Sequence, residues 1–472
     1  MCDTFVVMPD ISENGRTVLC KNSDRPSFDC QPLACHGRKH FEKDSSLMLA
    51  YLTIPQADKR FATLGSSPYW CWGYEEGINE FGVAIGNEAV YTRDLTLYAE
   101  MEREGIGLPR GLLGMELIRL GLERGKTALN ALLVMTSLIE QYGQWGSGVP
   151  MADTVTGAYH NSFMIADGKE AYLLETAGKR WAAKKITRSF AAISNELSIR
   201  TDITRKSPDL IEYACKMLWH REGEIFDFAK SYISKKNPRQ LSHIRVQRAR
   251  QLLAQAVSEH GRVSISWMKR ILRDHYEGSF LEGPMFNPSS PDFLSLCMHD
   301  SPAKFTWGNT ASSSLFVLPN DGNHLPIFWW APGVPCCSIY IPFFVDAGTL
   351  PECVTLAGTY GKNLCAPSEV KEEDRYQKGS FWWEMRRLLN QINGDEDGSF
   401  YHQRHAQVRA VFDELENQWM QELDKVEARA VQMKKDGDIS GMKEFLAGYS
   451  KQCLEKAAEA VEKAAERFEE AM

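Results

Sequence analysis

The sequence predicts an α+β fold: blocks of short strands flanked by helical hairpins in a layered sandwich, with a helical tail. Three observations carry this. Short β-branched and apolar runs bounded by turn residues recur through the first 195 residues and return between Phe305 and Val345. Apolar residues at helical spacing fill 112–142 and parts of 208–275. Beyond about residue 370 the composition shifts to Glu, Lys, Ala and Arg. At 472 residues the chain exceeds one small domain.

The elements follow in order. Asp3-Thr4-Phe5-Val6-Val7-Met8 reads as a buried strand closed by Pro9-Asp10. Asn14-Gly15 is a hairpin signal, and Thr17-Val18-Leu19-Cys20 is the returning strand. Leu47–Ile54, Tyr69–Gly73 and Gly82–Val90 are further strand candidates. Leu112 to Leu120 has helical apolar spacing. A second helix starts at a Thr127 N-cap and runs from Ala128 to Tyr142, ending at Gly143. Gln144 to Thr156 reads as a loop bordering a site. Ser162–Ala166, an Asp167-Gly168 turn, Ala171–Leu174 and Arg180–Ile186 form an antiparallel meander, and Phe190–Ser194 adds a strand ending at Asn195. In Ser242–His260, the Arg245, Arg248 and Arg250 face reads as solvated surface. Phe381–Ile392, Tyr401–Lys435 and Lys443–Ala471 are amphipathic helices broken at Asn393-Gly394 and Asp436-Gly437.

Composition excludes several functions. Charged residues at 25% and hydrophobic residues at 43% suit a soluble globular protein. A net charge of −8 argues against nucleic acid as the main partner, since phosphate binding needs a cationic face. No apolar run reaches the ~20 residues of a membrane span. Neither a basic n-region nor a long apolar segment opens the chain, so a cytoplasmic location is expected, with the 12 cysteines reduced. Cys30-x4-Cys35-His36 and Cys336-Cys337 lack zinc spacing, and CxxC and HExxH are absent. No metal and no cofactor are expected.

The chemistry points to Cys2. Removal of Met1 would leave a thiol and a free α-amine on one residue, the amine with an ordinary pKa of about 7.7–8.0. Nucleophile and general base would then share a residue. The hairpin returns Lys21-Asn22-Ser23-Asp24-Arg25 toward Cys2. There Asp24 suits orientation of the amine, and Lys21 suits stabilisation of a thiolate.

Met1-Cys2-Asp3-Thr4-Phe5-Val6 followed by Lys21-Asn22-Ser23-Asp24-Arg25 resembles the start of the secernin and C69 dipeptidase family, N-terminal-nucleophile hydrolases related to the choloylglycine hydrolase and penicillin V acylase group. The likeness continues in family order through Trp70-Cys71-Trp72-Gly73, Gly77 to Val90, Tyr159-His160-Asn161-Ser162-Phe163, Leu174 to Gly178, Ile193-Ser194-Asn195, Cys297-Met298-His299-Asp300, Thr310-Ala311-Ser312 and Pro335-Cys336. It implies a four-layer α-β-β-α sandwich over residues 1–365, with a helix-rich insertion at about 205–280 and a C-terminal helical region at 366–472. It further implies Cys2 as nucleophile with its own amine as base through a water, Asp24 holding both, Lys21 in place of the acylases' Arg, and Asn87 and Asn195 in the oxyanion hole. Arg25, Trp72 and His160 are expected to bind substrate. The acylases' downstream Arg has no evident match here. The reaction implied is hydrolysis of dipeptides or small peptides through a thioester. Two alternatives stay open: an acylase of non-peptide amides, and a secernin-like protein acting through partners in secretion with little or no hydrolysis. A homo-oligomer is possible under each.

Overall fold

The computed structural model describes residues 1–153, 155–236, 240–282, 287–291, 293–300, 306, 308–361 and 364–470. Phe305 and Ala471, at the ends of expected elements, and Thr154 in the expected loop lie outside the described residues. Two antiparallel sheets stack face to face. The first has six strands in the order Phe190–Ile193, β1 (Cys2–Val7), β2 (Thr17–Arg25), Asn309–Leu318, Ile327–Pro332 and Ile341–Phe344. The second has eight: Arg205–Lys206, Arg180–Ile186, Ala171–Ala177, His160–Ala166, Ala84–Val90, Glu76–Asn79, Thr63–Ser66 and Leu33–His36. Helices Gly114–Arg124 and Ala128–Tyr142 cover the outer face of the second sheet. Gln240–His260, Ile265–Leu272, Phe381–Asn393 and Ile439–Glu470 cover the outer face of the first. The layers therefore run helix, sheet, sheet, helix.

Local chemistry sets the element ends. Thr127 Oγ1 accepts the Asn130 amide at 3.1 Å, and Gly143 stops the helix at φ +79°, which an L side chain rarely adopts. Two expected strands differ. Leu47–Ile54 divides into Ser46–Met48 and Thr53–Pro55, because the intervening turn is tied down by Ala50 N donating to Glu116 Oε1 at 2.7 Å. Tyr69–Gly73 is a turn rather than a strand. Cys71 N bonds back to Pro68 O at 3.0 Å, and a Cβ on Gly73 would lie 2.3 Å from the Met115 backbone. Here close approach of a helix overrides a run that is apolar enough for a strand.

The helix Tyr401–Lys435 is fastened to the body by buried charge. Arg16 donates to Glu427 at 2.9 Å, and Glu427 Oε1 also accepts Leu325 N at 2.7 Å. Glu416 takes Arg273 at 2.6 Å, Lys269 at 3.1 Å and the Tyr340 amide at 3.0 Å. Among the described residues, no helix is long and apolar enough to cross a membrane.

Burial alone would raise the Glu416 pKa, but Arg273, Lys269 and Arg409 hold it at about 2. Its folded value lies below the ordinary carboxylate value of about 4.3, so its stabilisation is present above that pH and fades as pH falls toward 2. Glu416→Gln leaves the buried Lys269 and the half-buried Arg273 and Arg409 without this counter-charge. Urea unfolding at pH 7 is expected to register a loss of about 3–5 kcal/mol, and the deficit should shrink as the pH is lowered through 4.

Candidate active site

Strand alternation sorts the polar residues of β2 between two faces. Lys21, Ser23 and Arg25 point toward the second sheet, whereas Asn22 and Asp24 point toward the helices. Asn22 Nδ2 donates to Leu272 O and Leu296 O at 2.8 and 2.7 Å, fixing that outer face. β1 pairs with β2 so that Cys2 faces Ser23 and Thr4 faces Lys21. The N-terminal end of β1 thus delivers Cys2, 6% exposed, to the wall of a cavity of about 300 Å³. Met1, Asp24, Arg25, Glu75, Asn87, Tyr91, Val149, Tyr159 and Asn195 also line it. Val149 comes from the loop expected to border a site.

Lys21 is a buried cation of this region, as are Arg25 and Arg245. Its Nζ donates to Glu75 O at 2.8 Å and Asn87 Oδ1 at 2.9 Å, and lies 3.4 Å from Glu75 Oε2 and 3.5 Å from Glu76 Oε2. Burial would lower its pKa, but Cys2, Glu75, Glu76 and Glu88 together raise it, so it stays charged. Gly86 makes the room: a Cβ there would sit 2.9 Å from Lys21 Cδ. Arg25 is held by Asp29, Glu75 Oε1 at 3.1 Å and Gly148 O at 3.0 Å. It acts on the cavity chiefly by fixing Glu75.

Asn195 Oδ1 accepts the Cys2 nitrogen at 2.9 Å and Arg245 Nη2 at 2.7 Å, while its Nδ2 donates to Ala89 O at 2.9 Å. The side chain therefore grips the residue-2 nitrogen with its carbonyl. Asn87 Nδ2 gives one hydrogen to Asn161 Oδ1 at 2.6 Å, leaving its second for the cavity it lines. Asp24 Oδ1 accepts Thr310 Oγ1 at 2.7 Å, a register set by a bulge between Thr310 and Ser312 in the neighbouring strand. Burial pushes Asp24 up to about 7 against the pull of the Met1 ammonium and Arg245. The Met1 nitrogen donates to Asp24 O at 3.1 Å.

The structure thus gathers Cys2, Lys21, Asp24, Arg25, Asn87 and Asn195 around one cavity. Trp72 and His160 stand apart from it. The Trp72 ring carries the Arg119 guanidinium at 3.9 Å and packs against the core outside the second sheet. His160 is fully buried, with Nδ1 against Thr92 Oγ1 at 2.8 Å and Nε2 accepting Gly178 N at 3.2 Å; burial drops its pKa to about 3, so the ring is neutral. Sequence reasoning missed Glu75, which precedes a strand with no periodic signal. It also set Arg245 on a solvated face. The structure corrects that: Arg245 is fully buried, paired with Asp3, 3.3 Å from Cys2 O and 3.7 Å from Asp24 Oδ2. Arg248 is likewise buried against Asp274 at 2.7 Å. The apolar half of Gln240–His260 alone does not reveal that the first sheet offers acids to this helix.

The geometry defines a layered α+β protein with a strand-borne cysteine in an acid-lined cavity. The chain belongs to Peptidase family C69, whose family model matches residues 1–364. It is 23% identical to a dipeptidase of Bifidobacterium longum over 214 residues, a stretch covering 42% of this chain and only 38% of that protein. Among solved structures it is similar to a mutant of the conjugated bile acid hydrolase from Clostridium perfringens, at 10% identity and a TM-score of 0.38, covering 70% of this chain and 89% of that one. It is also similar to a Caenorhabditis elegans ortholog of N-acylethanolamine-hydrolyzing acid amidase, at 11% identity and a TM-score of 0.34, covering 68% of this chain and 94% of that one.

Burial pushes the Cys2 thiol up to about 11, opposed by Lys21 and the Met1 ammonium and reinforced by Glu75 and Asp24. With Met1 in place, only about one thiol in a thousand is thiolate at pH 8. Iodoacetamide labelling of Cys2 in the Met1-bearing chain, followed by peptide mapping, is expected to be slow at pH 8 and to accelerate through pH 11.

Proposed function

We propose that this protein is a cysteine-type amidohydrolase that cleaves dipeptides or other small peptides through a thioester on Cys2, after loss of Met1. The observation that carries this reading is the grip on residue 2: its nitrogen on Asn195 Oδ1 and its thiol in a cavity beside the buried Lys21 ammonium. Without Met1 that nitrogen is an amine, and the cavity space lined by Met1 becomes available to substrate.

In the reaction, the Cys2 thiol gives its proton to the α-amine, through a water, and attacks the scissile carbonyl carbon. The resulting oxyanion takes the spare Asn87 N–H. Collapse breaks the C–N bond, and the amine product leaves with a proton from the Cys2 ammonium. Water then attacks the thioester, giving its proton to the same amine, and the carboxylic acid departs as the thiol re-forms. Asn195 and Asp24 orient the amine, and Lys21 lowers the cost of charge on sulfur. Arg245 acts behind them, neutralising Asp3 and fixing the Asn195 carbonyl.

The lining charges favour peptides over N-acyl amino acids. Glu75 already faces Lys21 and Arg25, and Asp24 faces Arg245, which leaves Glu196 as the lining carboxylate for a substrate ammonium, while the donors of Arg25 are engaged by Asp29, Glu75 and Gly148. A free α-ammonium suits this wall; a substrate carrying only a carboxylate does not. The size suits a short peptide, since the cavity of about 300 Å³ lies at the lower end of ligand pockets.

Intact mass and a dipeptide panel test the reading together. The active form is expected to lack Met1 and to turn over dipeptides, with Cys2→Ala inactive and normally folded. Undiminished turnover by Cys2→Ala would overturn the nucleophile, and no turnover by a Met1-free wild type would favour action through partners. Asn87→Ala is expected to lower kcat by about 100- to 1,000-fold, the usual loss for one oxyanion donor. N-acetylation of a good dipeptide should cut kcat/KM by about 10- to 150-fold, matching the ~1.5–3 kcal/mol of a charged hydrogen bond.

A further inference from the structure

Away from the cavity, four buried side chains converge beneath the helical layer of the first sheet: His275, Cys297, His299 and Cys336. Their ligand atoms all lie within 4.8 Å of one another. His299 Nε2 is 3.2 Å from Cys336 Sγ and 3.9 Å from Cys297 Sγ. A tetrahedral zinc with bonds of about 2.3 Å to sulfur and about 2.0–2.1 Å to nitrogen spaces its ligand atoms roughly 3.3–3.8 Å apart. The cluster is already near that spacing.

A second observation points the same way. His275 Nδ1 faces Glu277 Oε1 at 2.8 Å, which sets the ring so that Nε2 carries the lone pair. That Nε2 is buried and makes no hydrogen bond of good geometry among the described residues; the Cys336 thiol is its polar neighbour. A carboxylate behind one histidine nitrogen, with the other nitrogen beside the Cys336 thiol, is the outer-shell arrangement of a metal-binding imidazole. Access exists as well. His275 and Cys336, with Tyr401 and His405, line a cleft of about 720 Å³.

We propose that His275, Cys297, His299 and Cys336 form a structural zinc site. Four protein ligands close the coordination sphere, so the ion is held rather than used as a Lewis acid. On binding, both thiols release their protons and bond the metal as thiolates. The site fastens the segment that ends the helical insertion and the turn Pro335–Cys337 to the segment Cys297–His299. The last of these clamps the active cavity from behind. Met298 N donates to Thr310 Oγ1 at 3.0 Å, Met298 O accepts Thr310 N at 2.9 Å, and Thr310 Oγ1 donates to Asp24.

Metal analysis of the full chain, purified under reducing conditions with zinc supplied, tests this. About one zinc per chain is expected, falling below about a tenth in a Cys297→Ser/Cys336→Ser double variant. His405→Ala should keep its zinc, because His405 bonds only the Cys336 carbonyl in this cluster, at 3.1 Å. Should the double variant fail to fold, cobalt added to the metal-depleted wild type decides: tetrahedral d–d bands with thiolate charge transfer support the site. Metal-free wild type that stays folded and gives no such bands overturns it. So does a disulfide joining Cys336 to Cys297 or Cys337, or zinc lost in His405→Ala but kept in His275→Ala.

Discussion

The buried ammonium of Lys21 is the constraint on which the rest of the structure depends. An isolated charge in that position would be prohibitively desolvated, so it must be surrounded by acceptors. Glu75, Glu76 and Asn87 supply them, all from the second sheet or the turn leading into it, while Lys21 belongs to the first. One charge therefore fixes the spacing of two sheets. The residues that satisfy it also satisfy others: Glu76 accepts Ser312 and Ser314 hydroxyls at 2.7 and 3.0 Å, and Glu75 holds Arg25. Such networks are rigid when every member is paired.

Burial and pairing act in opposite senses across the same few strands. Asp24 and Glu88 are pushed up to about 7 and about 8 by desolvation, Glu88 despite the nearby Lys21 and a 2.5 Å bond from Thr4 Oγ1. Glu416, equally enclosed, is held down by three cations. The difference is the number of positive neighbours, and it separates Asp24 and Glu88 near the cavity, which sit close to neutrality, from Glu416 at the tail interface, which stays ionised.

The sequence was most readable where the physics is local. The apolar run Thr17–Cys20 and the capped stretch Ala128–Tyr142 each contain their own signal, β-branched and apolar residues in one, a Thr127 cap and a Gly143 stop in the other. That the strand runs on through the polar residues to Arg25 depends on pairing with the distant Asn309–Leu318. Tyr69–Gly73 failed because the decisive contact is with Met115, far away in sequence. Arg245 failed for the same reason, since an arginine on a helix declares nothing about the acids waiting on the strand beneath. Trp72 and His160 stand within family-like motifs, yet both side chains turn away from the cavity to pack elsewhere. The ligating atoms at His275, Cys297, His299 and Cys336 come from separate segments, so no linear spacing could have grouped them.

The order of the first sheet has a consequence for biosynthesis. β1 and β2 lie beside Asn309–Leu318, and Arg245, which reaches Cys2 and Asp3, emerges late as well. At about 5–20 residues per second, the ribosome needs roughly 15–60 s after making β2 to deliver that strand. Throughout this interval the amino terminus has no completed sheet to enter. Any enzyme that trims Met1 works on an open substrate during translation and meets an enclosed one afterwards. For the proposed loss of Met1, the topology would thus set a deadline.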